Sequence, residues 1–179
     1  MIDSYFKFTL DCFQNVPTSI SVGMLLFFGL GAVLLLILLR SKNGLKWSSG
    51  LLLMGYLLLL ISLSVLARNV YPERVYSLTP FWSYPVILSG DRRILTQAIM
   101  NVVVFIPIGL LLGCVFGDIK WWKVLLMCGA FSIFIEASQF VLKRGFAEFD
   151  DVFHNVVGCM IGYGLFVGIA SLVKRLLRQ

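Results

Sequence analysis

Residues 132–155 read "SIFIEASQFVLKRGFAEFDDVFHN". The run opens as apolar sequence fit for a membrane span, yet it carries Glu136 and Gln139 inside it. It then breaks at Lys143, Arg144 and Gly145, and Glu148, Asp150, Asp151, His154 and Asn155 follow before apolar sequence resumes. An ionisable side chain at the centre of a bilayer costs at least about 2.5 kcal/mol, so residues of this kind are retained in a span only for a reason.

The rest of the chain fixes the setting. Of its 179 residues 59% are hydrophobic and 13% charged, and its mean hydropathy is +0.93. A soluble domain carries about 25% charged residues, so the chain reads as an integral membrane protein. Its net charge of +6 does not point to nucleic acid, because the Lys and Arg residues lie mostly in short connectors between apolar runs, where they set orientation and meet lipid headgroups. Cys114, Cys128 and Cys159 fall inside apolar segments and Cys12 near the start, with no CxxC and no Cys/His spacing of a metal site. No disulfide framework, metal or cofactor is expected.

A helix needs about 20 residues to cross some 30 Å of hydrocarbon. Five apolar segments approach that length, near residues 19–39, 48–67, 97–116, 121–142 and 152–173. The expected fold is all-α, a polytopic helix bundle with about five transmembrane helices. It divides into an N-terminal pair of spans, residues 1–67, and a domain of residues 68–179 in which an interfacial connector, 68–96, precedes three spans. The first span ends at Arg40 with no small-residue cleavage site, so we read it as a retained helix and not a signal peptide. Pro72, Pro80 and Pro85 bias the connector away from long helix, and its Tyr and Trp residues suit the headgroup zone. The connector is expected to lie folded over the bundle.

Five spans place the termini on opposite sides. Arg40, Lys42, Lys46, Lys120, Lys123, Lys174, Arg175 and Arg178 fall on one face, and Lys7, Arg68, Arg74, Arg92, Arg93, Lys143 and Arg144 on the other. The first set is clustered beside a single acid, Asp118, while the second is interleaved with acids. This favours the N-terminus outside and the C-terminus in the cytoplasm.

The same parity brings the start of the third span, the end of the fourth and the start of the fifth to one face, beneath the connector. Asn101, Glu136 and Asn155 then share a layer on the order of 10 Å below the boundary. Ser132, Glu136, Gln139 and Lys143 form one helical stripe, and Asp151, Asn155, Gly158 and Gly162 another. Gly109 with Gly113 and Gly158 with Gly162 are GxxxG pairs that permit close helix approach, so the third and fifth helices are expected to pack against the fourth. Asn101, Gln139 and Asn155 could serve as interhelical hydrogen-bond glue. Glu136 is read as functional, with Arg144 or Arg74 as its cationic partner. Asp151 is read as functional, Asp150 as a cap of the fifth helix, and His154 as a hydrogen-bonded structural residue.

At these residues the sequence resembles the VanZ-like family. "RVYSLTPF" (74–81), "NVVVFIPIGLLLG" (101–113), "SIFIEASQF" (132–140) and "RGFAEFDDVFHNVVGCMIGY" (144–163) match the family's motifs in order and spacing. Ser77 stands where the family usually has Asn, and Glu148 where it usually has Asp. The resemblance implies a bacterial plasma-membrane protein of the kind that lowers susceptibility to the glycopeptide teicoplanin. Carried over by position, the site comprises Arg74, Asn101, Pro107, Gly109, Glu136, Gln139, Arg144, Glu148, Asp151, Asn155 and Gly158.

Three functions compete. In the first, a polar pocket at the level of the outer leaflet binds a cell-wall precursor or lipoglycopeptide through Arg74, Asn101, Glu136, Gln139, Arg144, Glu148, Asp151 and Asn155. In the second, an intramembrane enzyme uses Glu136 and Asp151 as acid and base toward an envelope lipid or precursor. In the third, the chain is a non-catalytic assembly partner. Membrane lipids surround it in every case.

Overall fold

A computed structural model describes residues 44–178 of the chain. The expected span at 19–39 lies outside the described residues. Within them are α1 (Gly44–Ile61), extended by a π-helical turn at Ser62–Leu66, then β1 (Val75–Ser77), α2 (Ser83–Leu88), α3 (Arg92–Phe116), α4 (Trp121–Leu142), β2 (Phe146–Glu148) and α5 (Phe149–Leu176). Four of these helices, α1 with its π turn, α3, α4 and α5, are long and apolar enough to cross a membrane. The fold is a polytopic membrane helix bundle.

The start of α3 and the start of α5 both precede the positions expected from hydropathy. Asp91 is the reason for α3: its carboxylate accepts from the backbone N–H of Arg93 at 2.7 Å and of Ile94 at 3.3 Å. Those are donors that the first helical turn otherwise leaves without a partner. The extension brings Gln97 onto the helix. At α5, the helix begins immediately after β2, so Asp150 and Asp151 occupy its first turn.

Helix packing differs from expectation in one respect. The main contact is α3 on α5, not either of them on α4, and glycines determine it. A Cβ at Gly109 would lie 1.8 Å from the Cys159 carbonyl oxygen, one at Gly158 2.0 Å from that of Val102, and one at Gly162 1.9 Å from that of Ile106. Gly109, Gly158 and Gly162 therefore sit against the facing helix's backbone, and Gly113 against the Phe166 side chain. The α4 helix packs on the adjoining face of α5, where Asn155 donates to Ser132 Oγ at 2.9 Å and Cys128 and Cys159 are joined in a disulfide, against the expectation of no disulfide framework. On the far side, the Tyr56 hydroxyl of α1 donates to the Val104 carbonyl of α3 at 2.8 Å. Phe105, Ile108, Leu112, Val124 and Ile135 fill the apolar centre.

The connector is tied to the α4–α5 turn by a parallel ladder that the sequence reading did not anticipate, with Val75 opposite Phe146, Tyr76 opposite Ala147 and Ser77 opposite Glu148. This places the whole of β1 and α2 over the end of the bundle where α3 and α5 begin.

Candidate functional site

The site is built where the π turn, the connector, α3, α4 and α5 meet at one end of the bundle. The last helical turns of α4 set its floor. Glu136 is 8% exposed, and its Oε2 accepts the backbone N–H of Glu148 at 2.9 Å. An intramembrane carboxylate thereby holds the turn that delivers β2 to the site. One turn on, Gln139 Nε2 donates to the Ser64 carbonyl at 3.0 Å, and Arg144 donates to the Leu66 carbonyl. Both acceptors belong to the π turn that ends the helix, where the last four carbonyls have no intrahelical partner.

Asp150 does not cap its own helix. It is 1% exposed, and its carboxylate reaches the connector, accepting from the Phe81 N–H at 2.6 Å, the Ser83 N–H at 3.0 Å and the Ser83 hydroxyl. The N-terminus of α2 is thus capped from α5. Phe81 holds a positive φ of 58°, a conformation costly for a bulky residue, and the bond from Asp150 stabilises it there. Once fixed, the Phe81 ring packs edge-on against Tyr84, Phe149 and Phe153.

Where Ser83 of α2 meets the first turns of α3 and α5 lies a narrow cleft lined by Ser83, Gln97, Glu148, Asp150, Asp151 and His154, among others, with about 10 Å³ of free volume. That is room for about one water. Gln97 Nε2 stands 3.4 Å from both Glu148 Oε2 and Asp151 Oδ1, one amide between two carboxyl groups. Burial pushes the Glu148 carboxyl up from an ordinary 4.5 to about 8, helped by the neighbouring charges of Asp151, Glu136 and Asp150. Removal of a carboxylate from water and proximity to like charges both favour its protonated form. His154 is 7% exposed. Its Nε2 lies 3.3 Å from the Tyr84 hydroxyl, and its Nδ1 is buried without a partner. Among the described residues no group of three or more His, Cys, Asp or Glu side chains is arranged to hold a metal ion.

The candidate residues read from the sequence divide into two groups. Glu136, Glu148 and Asp151 come together at or beneath the cleft. Asn101 stands close enough to act on Asp151, although its Nδ2 is buried without a hydrogen-bond partner. Gln139, Arg144 and Asn155 are engaged with the π turn and with Ser132. Arg74 lies over the Phe140 ring, 5.5 Å from its centroid. Gly109 and Gly158 belong to the α3–α5 contact, and Pro107 lies inside α3. The cation whose charge reaches both Glu136 and Asp151 is Arg68, neither Arg144 nor Arg74. Sequence reasoning also missed Ser83, Tyr84 and Gln97. For Gln97 a signal existed, because it lies one helical turn before Asn101; for Ser83 and Tyr84 none did.

Comparison with known proteins adds to this geometry. The sequence model of a family described as VanZ/LLP1 matches residues 51–173. Protein VanZ of Enterococcus faecium is 33% identical over 103 residues, which cover 58% of this chain and 59% of that protein. The chain therefore matches less than two thirds of that relative's length. No solved structure matches the chain.

Proposed function

The chain belongs to the VanZ/LLP1 family, and on that premise we propose that it is a glycopeptide-resistance protein of a bacterial plasma membrane whose cleft recognises one polar group of a cell-envelope or lipoglycopeptide ligand. The observation that carries this reading is the Asp150 strap. A buried carboxylate holds an aromatic connector in a strained conformation over Glu148, Asp151 and Gln97, which is more construction than helix packing requires. The cleft's small volume suits one functional group, with the remainder of a large ligand lying along the membrane surface. Positive residues at the opposite end of the bundle, Lys46, Lys120, Lys123, Lys174, Arg175 and Arg178, favour the cytoplasm for that end. That orientation puts the cleft at the level of the outer leaflet and the C-terminus inside.

The test is expression in a susceptible Gram-positive host. Tolerance to teicoplanin is expected to rise more than tolerance to vancomycin; unchanged susceptibility despite confirmed membrane expression would overturn the reading. Orientation is checked by single cysteines at Arg92, Lys143 and Lys120. The first two are expected to label from outside and the third only from within.

A second reading is favoured by the Glu148–Gln97–Asp151 arrangement. Two neighbouring carboxyl groups, of which burial raises that of Glu148 toward its protonated form, are the equipment of general acid–base catalysis. In that case Glu148 replaces Glu136 beside Asp151, since Glu136 already accepts the Glu148 N–H. A change in the mass of an envelope lipid or precursor on expression, lost in Asp151→Asn, would select this reading.

A further inference from the structure

We propose that the group bound in the cleft is a primary ammonium carried by a membrane-anchored molecule, held by Glu148, Asp151 and His154 Nδ1. The inference rests on the reading of the cleft as a ligand site and names the chemistry of its ligand.

The acceptors at the cleft are not equivalent. Asp150 is occupied by Phe81 and Ser83, and Glu136 by the Glu148 N–H. Glu148 and Asp151 share the Gln97 amide nitrogen at 3.4 Å, at the long end of hydrogen bonding, and beside their contact with each other and that of Asn101 with Asp151 the two oxygens of each group leave acceptor capacity. His154 supplies an independent observation. It is buried, it lines the cleft, and its Nδ1 has no partner. In the tautomer whose Nε2–H donates to the Tyr84 hydroxyl, Nδ1 is an acceptor with no donor in reach. An unsatisfied buried acceptor is costly, and a ligand that donates to it removes the cost.

Two carboxyl groups and a histidine with a free ring nitrogen line a space for about one water, which suits a compact group with up to three donors. A primary ammonium has three donors and no acceptor, fills a water-sized space, and carries the charge that the neighbouring carboxylates require. A hydroxyl offers one donor. A phosphate or carboxylate meets the Glu148, Asp150 and Asp151 carboxyl groups that line the cleft, while Arg68, which acts on Asp151, is not part of the lining, and a trimethylammonium has no N–H and exceeds the volume. Ile94 and Ala98 in the lining suit the carbon chain next to the ammonium.

The full chain in phosphatidylcholine nanodiscs is titrated with dodecylamine, N-dodecylacetamide and dodecyltrimethylammonium, and the melting temperature is followed. Dodecylamine is expected to stabilise the protein at concentrations at least about tenfold below those of the other two. The double change Glu148→Gln with Asp151→Asn removes that preference, and Asp151→Asn alone gives the same test if the double variant does not fold. Equal effects of all three probes, or a preference that survives Asp151→Asn, would overturn the ammonium assignment. Failure of the two proposals is distinguishable. If Asp151→Asn abolishes drug tolerance while the wild type shows no amine preference, the ammonium assignment falls and the cleft's role stands. If the amine preference is present and depends on Asp151 while tolerance does not, the assignment stands and the resistance reading falls.

Discussion

Asp150 on α5 accepts a 2.6 Å hydrogen bond from the backbone N–H of Phe81, 69 residues away in the chain. This bond, with the pair from Ser83, fixes the connector over the helix ends and makes a cleft from what would otherwise be an open bundle end. Asp150→Ala removes every one of these bonds and leaves buried donors without an acceptor. Hydrogen bonds to a charged group contribute about 1.5–3 kcal/mol each, so a loss of at least about 2 kcal/mol is expected. The check is melting temperature in detergent together with limited proteolysis: cleavage should become fast between residues 78 and 91.

The α3–α5 contact makes a sharper packing prediction. Gly158→Ala places a methyl group 2.0 Å from the Val102 carbonyl oxygen, and Gly162→Ala places one 1.9 Å from that of Ile106. Either change forces the helices apart and should cost about 1–3 kcal/mol. Gly164→Ala, which meets nothing within 4 Å, should leave the melting temperature unchanged or slightly raised, because Ala is the better helix former. Equal effects at positions 158 and 164 would contradict the observed packing.

Glu148 predicts a pH dependence. Its carboxyl is raised from 4.5 to about 8 by burial and by the neighbouring acids, so between those values the folded protein holds a proton that the unfolded chain has released. Stability linked to this group is therefore present below about pH 4.5 and is lost as pH rises toward about 8. The melting temperature should fall over that interval, and Glu148→Gln, which keeps the neutral shape, should flatten the fall.

The amides and the acids separate by phenotype. Gln139→Ala removes the bond to the Ser64 carbonyl, and Asn155→Ala removes the bond to Ser132. Each should lower thermal stability modestly, by about 0.6 kcal/mol on average for interhelical bonds of this type. Glu136→Gln preserves an acceptor for the Glu148 N–H but deletes the charge through which Glu136 acts on the Glu148 carboxyl in the cleft, so abundance should stay near normal while drug tolerance is lost. Retention of full tolerance would mean that the Glu136 carboxylate is not a functional group.

The parts of this site that were legible in the sequence are those set by local periodicity. Ser132, Glu136 and Gln139 recur at helical spacing, and the structure puts all of them on the buried side of α4. Parity alone brought Asn101, Asp151 and Asn155 to the same end of the bundle. What could not be read was long-range. GxxxG shows that a helix surface is small but not which neighbour fills it, and α3 and α5 chose each other over α4. The role of Asp150 depends on backbone donors at Phe81 and Ser83, which every residue type offers, so no side-chain pattern announces it. The pairing of Ser77 with Glu148 involves strands too short for alternation to register. Arg68 could not be ranked above Arg144 and Arg74 by charge alone, because the π turn that claims Arg144 is a matter of backbone winding.

The most direct test of the account is drug tolerance in cells expressing Asp151→Asn at the same membrane abundance as the wild type. The swap keeps the shape of the side chain and an oxygen for the Gln97 amide but abolishes the charge. The account predicts that teicoplanin tolerance falls to that of cells without the protein, while the melting temperature of the purified variant stays close to that of the wild type. Wild-type tolerance in this variant would contradict the claim that the acidic cleft is where the protein works.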